Sequence, residues 1–272
     1  MLKKFSGNAH QHLVSLLVTY EQFSRFYLIF HWAEADLENY WKEVNPSPNL
    51  DYKTVTWIAQ QCEGIADGLT KIHRYRSHYW KTQKRPPLEA CDDKFSREAS
   101  PDPPADMQDH AMEELYGRHG DIKPPNVLWY QDTDPEKMGT LKLADFGLAE
   151  FNANYSKSFK RKSKVITTPS YRPPECDLKD GFIGPSYDIW TLGCLYLEFI
   201  TWLLGGWDLV KDFALQRVSF DTVFNMDTDT FFVILDSPTG EGIAMVKPMV
   251  TEVSRDPSHI AMFLIAYSSN TL

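Results

Sequence analysis

Cysteine is scarce in this chain: four among 272 residues, at Cys62, Cys91, Cys176 and Cys194. No two stand at metal-ligand spacing, and four is too few for a disulfide scaffold, which points to a reducing compartment. A surplus of positive charge is lacking as well, since the formal net charge is -9. That balance gives no general pull toward nucleic acid or an anionic membrane surface, so neither is expected as a partner. Also lacking is an apolar run of roughly 20 residues, the length a membrane span needs. The nearest approach, TLGCLYLEFITWLLGGW at 191–207, has Glu198 near its middle and closes on Gly205 and Gly206. It reads as a buried core helix. The opening MLKKFSGNAHQH contains no apolar leader, so the default location is cytoplasmic or nuclear.

What is there is an ordinary globular composition, 43% hydrophobic and 24% charged, of a length that fits one large domain or two lobes. Residues 11–18 and 26–32 are short, apolar and rich in strand formers, and read as neighbouring strands around the turn TYEQFS. AEADLENYW then suggests a short helix start. Residues 54–74 predict the clearest helix, with Val55, Ile58, Cys62, Ile65, Leu69 and Ile72 on one stripe and Thr54 as N-cap. Between 76 and 117 the periodicity collapses: a basic stretch is followed by an acidic, proline-broken one. That pattern predicts a disordered insertion. The strands NVLWY and LKLADF follow, joined by the turn QDTDPEKMGT. After them come a polar segment at 152–170 with the basic cluster KSFKRKSK, and an apolar helix from about 186 to 204.

The chemistry concentrates in HGDIKPPNVLW at 119–129. Asp121, Lys123 and Asn126 lie within six residues, stiffened by two prolines, just ahead of the first of those strands. The hairpin brings them toward Asp145 at the end of the second strand. Two carboxylates and a carboxamide suit a hard cation such as Mg²⁺, and a carboxylate left free of metal can accept a hydroxyl proton.

These segments resemble the eukaryotic protein kinase superfamily, serine/threonine type. HGDIKPPN resembles the H-R-D-x-x-x-x-N catalytic loop, DFG at 145–147 the metal-binding triplet, PPE at 173–175 the A-P-E motif, and YDIWTLGC at 187–194 the start of the central buried helix. The resemblance covers most of 12–75 and 118–210. It implies an α+β, protein kinase-like fold, with a mainly helical large lobe and a truncated β small lobe. It also implies ATP and Mg²⁺ as cofactors and a protein substrate. Residue by residue, Asp121 would be the catalytic base and Lys123 would steady the transferring phosphate. Asn126 and Asp145 would hold Mg²⁺. Phe30 resembles the gatekeeper, the backbone of His31, Trp32 and Ala33 the adenine-binding hinge, and Leu128 the floor under adenine. Thr168 would tie the substrate loop to Asp121, and Asp188 would hold the catalytic-loop backbone from below. His119 and Phe146 would be packed core residues, with Gly147 completing the triplet. Glu175 would pair with a later arginine, for which Arg217 and Arg255 are the candidates.

Several features depart from that pattern. Nothing before Leu13 resembles the glycine-rich loop or the strand lysine, so residues 1–32 are expected to be a remnant of the small lobe. Residues 33–272 are expected to form the large lobe, with the insertion at 76–117 and an end at SSNTL earlier than the family's. Gly120 stands where the family has the arginine that meets an activation-segment phosphate. Little dependence on phosphorylation of Ser156, Ser158 or Ser163 is therefore expected. Pro125 and Pro173 replace a common acid and an alanine. The leading expectation is transfer of the ATP γ-phosphate to protein Ser/Thr hydroxyls. The alternatives are a catalytically silent, pseudokinase-like interaction module or truncated fragment, and a small-molecule phosphotransferase, against which TTPSYRPPE speaks because it resembles a peptide platform.

Overall fold

The computed structural model describes residues 10–78, 112–152, 160–161, 169–178, 181–222, 224–236 and 242–255. The first element is a hairpin of β1 (Leu16–Gln22) and β2 (Arg25–Phe30). Its turn is only Phe23 and Ser24, with φ of 52° and 59°. Two successive positive φ values match the right-handed twist of a tight hairpin. The expected longer turn TYEQFS is therefore mostly strand. Tyr20 pairs with Tyr27 and their rings stack at 4.8 Å, which rewards continued pairing.

A second sheet orders β3 (Ala35–Asp36), β6 (Val127–Tyr130) and β7 (Thr140–Leu143), with Leu13 bridging alongside Leu143. Asp36 caps the short α1 (Leu37–Asn39) by accepting the Asn39 N–H at 2.8 Å, and the chain continues into a π turn over Tyr40–Val44. That turn buries Tyr40 and Trp41.

Helix α2 runs from Tyr52 to His73. Its N-cap is Asp51, whose carboxylate accepts the Thr54 N–H at 2.8 Å, so Thr54 lies inside the first turn and is not the cap. All six residues of the expected stripe are buried. Two strands then stand at the edges of the stretch read as an insertion: β4 (Tyr75–His78) pairs with β5 (Met112–Arg118). β5 in turn pairs with β8 (Glu150–Asn152). Residues 79–111 lie outside the described ones. β9 (Lys160–Arg161) pairs with β10 (Phe182–Ile183).

Helix α3 spans Ser186–Gln216 and is broken at Gly205 and Gly206, so its first part ends where the sequence suggests. Gly206 has φ 68° and ψ -163°, and a Cβ there would lie 2.2 Å from the Pro46 carbonyl. Only glycine fits that conformation and that approach. By length and composition α3 is apolar enough to cross a membrane. Here Leu195, Phe199 and Trp202 are buried in the main core with α2 and the β6–β7 hairpin. The packed face of the helix is apolar because it is buried against protein. Beyond it come the hairpins β11 (Ser219–Asp221) with β12 (Met226–Thr228) and β13 (Phe232–Asp236) with β14 (Gly242–Val246). Helix α4 (Pro248–Arg255) follows. Val250 joins Cys194, Phe213 and Phe231 in a second core cluster.

Candidate active site

The segment 119–126 crosses from β5 to β6 and is fixed from three directions. From below, the fully buried Asp188 at the start of α3 accepts the backbone N–H of His119 at 2.7 Å and of Gly120 at 2.8 Å. His73, at the end of α2, donates its Nε2–H to the same carboxylate at 2.9 Å. From the side, the fully buried His119 accepts the Asp121 N–H on Nδ1 at 3.3 Å, so its proton sits on Nε2 and is donated to the Ala144 carbonyl at 2.9 Å. Burial holds the His119 imidazole below its ordinary pKa, against the raising pull of Asp188. From the far end, Ala144 N–H donates to the Asn126 carbonyl at 2.9 Å, which joins the loop to the end of β7.

Within that frame Asp121, Lys123 and Asn126 meet. The Lys123 Nζ lies 2.9 Å from Asp121 Oδ2. The Asn126 Nδ2 donates to both the Asp121 carbonyl and Oδ2, each at 2.8 Å. With its amide N–H groups so engaged, Asn126 turns its Oδ1 away from Asp121. Asp145 follows Ala144 directly, in a left-handed conformation (φ 59°, ψ 72°), and accepts the Gly147 N–H at 3.1 Å. A Cβ on Gly147 would come within 2.9 Å of that carboxylate. Phe146 is buried with its ring 5.2 Å from that of His119. The oxygens of Asn126 and Asp145 are the hard donors a Mg²⁺ ion selects, and the two residues flank the Ala144–Asn126 hydrogen bond.

The segment 31–34 runs beside β6. Glu34 N–H donates to the Trp129 carbonyl at 3.2 Å and the Tyr130 hydroxyl to the His31 carbonyl at 3.4 Å. Leu128 lies on β6 between Asp36 and Lys142. Phe30 and Ala33 are partly buried, whereas His31 is exposed and Trp32 is 85% exposed. Thr168 lies outside the described residues.

Glu175 is not brought to Arg217. It sits in a 3₁₀ turn (Pro174–Cys176), where burial raises its pKa. Arg217 instead pairs with Glu198 at 3.1 Å and lies between the rings of Phe213 and Phe231. The Arg255 side chain lies outside the described ones. The reason is local: Glu198 is buried in α3 and needs a cation, and Arg217 ends the same helix.

Two buried networks escaped the sequence reading. In the first, Tyr171 donates its hydroxyl to Glu198 at 2.8 Å beside Arg217. Burial nevertheless pushes Glu198 up to about 7. In the second, Arg172 grips Asp177 through Nε at 3.1 Å and Nη2 at 2.8 Å, and also binds Asp221. A glutamate inside the apolar run of α3 was the available signal for the first. The second escaped because Asp221, which joins Arg172 and Asp177, lies 49 residues beyond Arg172.

Residues 111–205 match the family model described as the protein kinase domain. That stretch is similar to eukaryotic protein kinases of the serine/threonine type. The chain is 33% identical over 92 residues to cyclin-dependent kinase 8 of Caenorhabditis elegans, which covers 34% of this chain and 16% of the relative. It is 42% identical over 83 residues to the CTD kinase subunit alpha of Schizosaccharomyces pombe, covering 30% and 13%. The matched part is thus a small fraction of either relative's length. Among solved structures, the yeast RNA Pol II CTD kinase CTDK-1 complex is similar with a TM-score of 0.46 and 20% identity, over 73% of this chain and 48% of that one. The architecture is α+β, with its helical part built on α2 and α3.

Proposed function

We propose that this chain is a protein serine/threonine kinase domain that transfers the γ-phosphate of ATP to a protein hydroxyl. The observation that carries the reading is the convergence of Lys123 Nζ and Asn126 Nδ2 on one oxygen of Asp121. A carboxylate oriented by two donors is a positioned base, and phosphoryl transfer depends on positioning and charge stabilisation.

In this reading Asp121 accepts the proton of the attacking Ser or Thr hydroxyl. Lys123, 2.9 Å from it, offsets charge on the phosphoryl group in transit. Asn126 Oδ1 and the Asp145 carboxylate would hold Mg²⁺, which when bound neutralises charge on the ATP phosphates. The backbone of His31–Ala33, with Phe30 and Leu128, would take the adenine. Residues up to 32 then form the small-lobe part and those from 33 the large lobe. A second reading, a kinase-shaped binding module without turnover, is favoured by one observation: Trp32, in the hinge segment, is 85% exposed.

Thermal denaturation with ATP, with and without Mg²⁺, separates the two. A Mg²⁺-dependent rise in Tm that disappears in Asp145→Ala supports the kinase reading, and phosphate transfer to a Ser/Thr peptide array then tests turnover. A folded chain with no shift leaves the binding module.

A further inference from the structure

Arg118, the last residue of β5, stands directly before His119 and is only 4% exposed. Its cross-strand partner is Glu150, the first residue of β8. The Arg118 Nη2 lies 3.6 Å from Glu150 Oε2, within ion-pair distance. The guanidinium carbon also sits 5.4 Å from the centre of the Tyr187 ring, which is buried at the start of α3 beside Asp188.

Room for the guanidinium comes from Gly120. That residue has φ 84°, and a Cβ on it would stand 3.5 Å from Arg118 Nε and 3.1 Å from the Leu148 carbonyl oxygen. With no side chain at 120, the space beside the loop backbone is taken by Arg118.

Stability does not account for the charge. Arg118 Nε and Nη1 are buried and meet no hydrogen-bond partner among the described residues. A buried charge with unmet donors costs more than an apolar side chain of similar length. What distinguishes the charge is where it stands. Asp121 comes three residues after Arg118, and Asp145 five residues before Glu150. The ion pair therefore joins the chain that enters the Asp121 loop to the chain that leaves the turn opened by Asp145.

We propose that Arg118 is a positioning residue: through Glu150 it fixes the 119–121 loop against the 145–149 turn, and so sets Asp121 relative to Asp145. The proposal rests on the kinase reading for the use of that alignment, but its first test does not use catalysis. Hydrogen exchange in the free chain is followed at two amides, that of Asp121, which donates to His119, and that of Ala149, which donates to the Phe146 carbonyl. The variants are Glu150→Gln, Arg118→Met and the two together, each removing charge with little change of side-chain volume.

Both amides should exchange at least tenfold faster in each single variant. The double variant should be no faster than the quicker single one, because one link is lost whichever partner goes. Ile65, buried in α2, should change less than twofold in Glu150→Gln, whose side chain is partly exposed in the parent; a purely structural role would speed Ile65 equally. Unchanged exchange at Asp121 and Ala149, effects that multiply in the double variant, or equal acceleration at Ile65 overturns the proposal. Sulfate in place of chloride at equal ionic strength should leave the parent unaltered. A tenfold slowing at Asp121 would mean that the open donors serve an external anion, and overturns the proposal too. Where the parent shows the Mg²⁺-ATP shift, Glu150→Gln should lower kcat for a Ser/Thr peptide at least tenfold with KM for ATP within twofold, and an unchanged kcat counts against Arg118. No shift in the parent is failure of the kinase reading alone, and the exchange result stands apart from it.

Discussion

Replacing Asp188 by alanine is the most informative single perturbation of the 119–126 loop. The carboxylate is fully buried and accepts two backbone N–H groups, from His119 and Gly120, as well as the His73 ring. A hydrogen bond to a charged group contributes about 1.5–3 kcal/mol, and each donor stranded in the interior costs about 1–3 kcal/mol. The terms overlap, because losing the bond and stranding the donor are one event, so about 3–5 kcal/mol is expected for Asp188→Ala. That is a large part of a typical domain stability of about 5–15 kcal/mol. Asp188→Asn should cost about half as much, since the amide keeps one acceptor but turns its NH₂ toward the other donor. Urea unfolding followed by tryptophan fluorescence reads the difference. With a slope of about 2–3 kcal/mol/M, the midpoint should fall by roughly 1.5 M for alanine and less for asparagine. Amide exchange at His119 and Gly120 should accelerate with it. A midpoint within about 0.3 M of the parent, with those two amides still protected, would refute the claim that Asp188 anchors the loop.

Three further outcomes follow from the same structure. Gly206→Ala places a Cβ 2.2 Å from the Pro46 carbonyl at φ 68°, and should cost at least about 2 kcal/mol by the same urea assay. His119 is held neutral by burial, so the unfolded chain binds more protons than the folded one below the ordinary imidazole pKa of about 6.5. Its contribution is complete above that pH and is lost as pH falls. Glu198, pushed up to about 7, acts in the opposite sense between 4.5 and 7: the folded chain holds the extra proton and stability declines as pH rises. Glu198→Gln should therefore make the loss of stability on acidification steeper, and an unchanged pH profile would contradict this assignment. Finally, with Gly120 offering no side chain to a phosphate, Ser156→Ala, Ser158→Ala and Ser163→Ala together should leave the Mg²⁺-ATP thermal shift unaltered.

The site was legible where chemistry and local geometry coincide in sequence. Asp121, Lys123 and Asn126 lie within six residues and meet because two prolines and a short 3₁₀ turn hold them there. The stripe of α2 was legible because a period of three to four describes one buried face. Boundaries were not. Tyr20 and Glu21 read as turn residues, yet cross-strand pairing with Tyr27 and Phe26 carries the strand to Gln22. Asp51 outcompeted Thr54 as a cap because its carboxylate reaches the third residue on. The Arg172–Asp177–Asp221 cluster was invisible because nothing local brings Asp221 to a pair 49 residues before it.

The buried charges share a purpose that their cost makes plain. A buried ion pair is seldom more stabilising than well-packed apolar residues, so its stabilising effect alone does not account for it. Asp188 and Glu198 both project from the first part of α3, and each binds a segment with no regular structure of its own: the 119–121 loop and the stretch beginning at Ser170. Ten residues of helix separate them, about 15 Å at the α-helical rise. A helix with one face packed into the core, as Leu192, Leu195 and Phe199 are here, resists bending because its neighbours would have to repack with it. The distance from the Asp121 loop to the Tyr171 segment is thereby set by a rigid element, as the proposed phosphoryl transfer would require. Apolar residues at 188 and 198 could match the stability of the core, but they would leave both segments without an anchor.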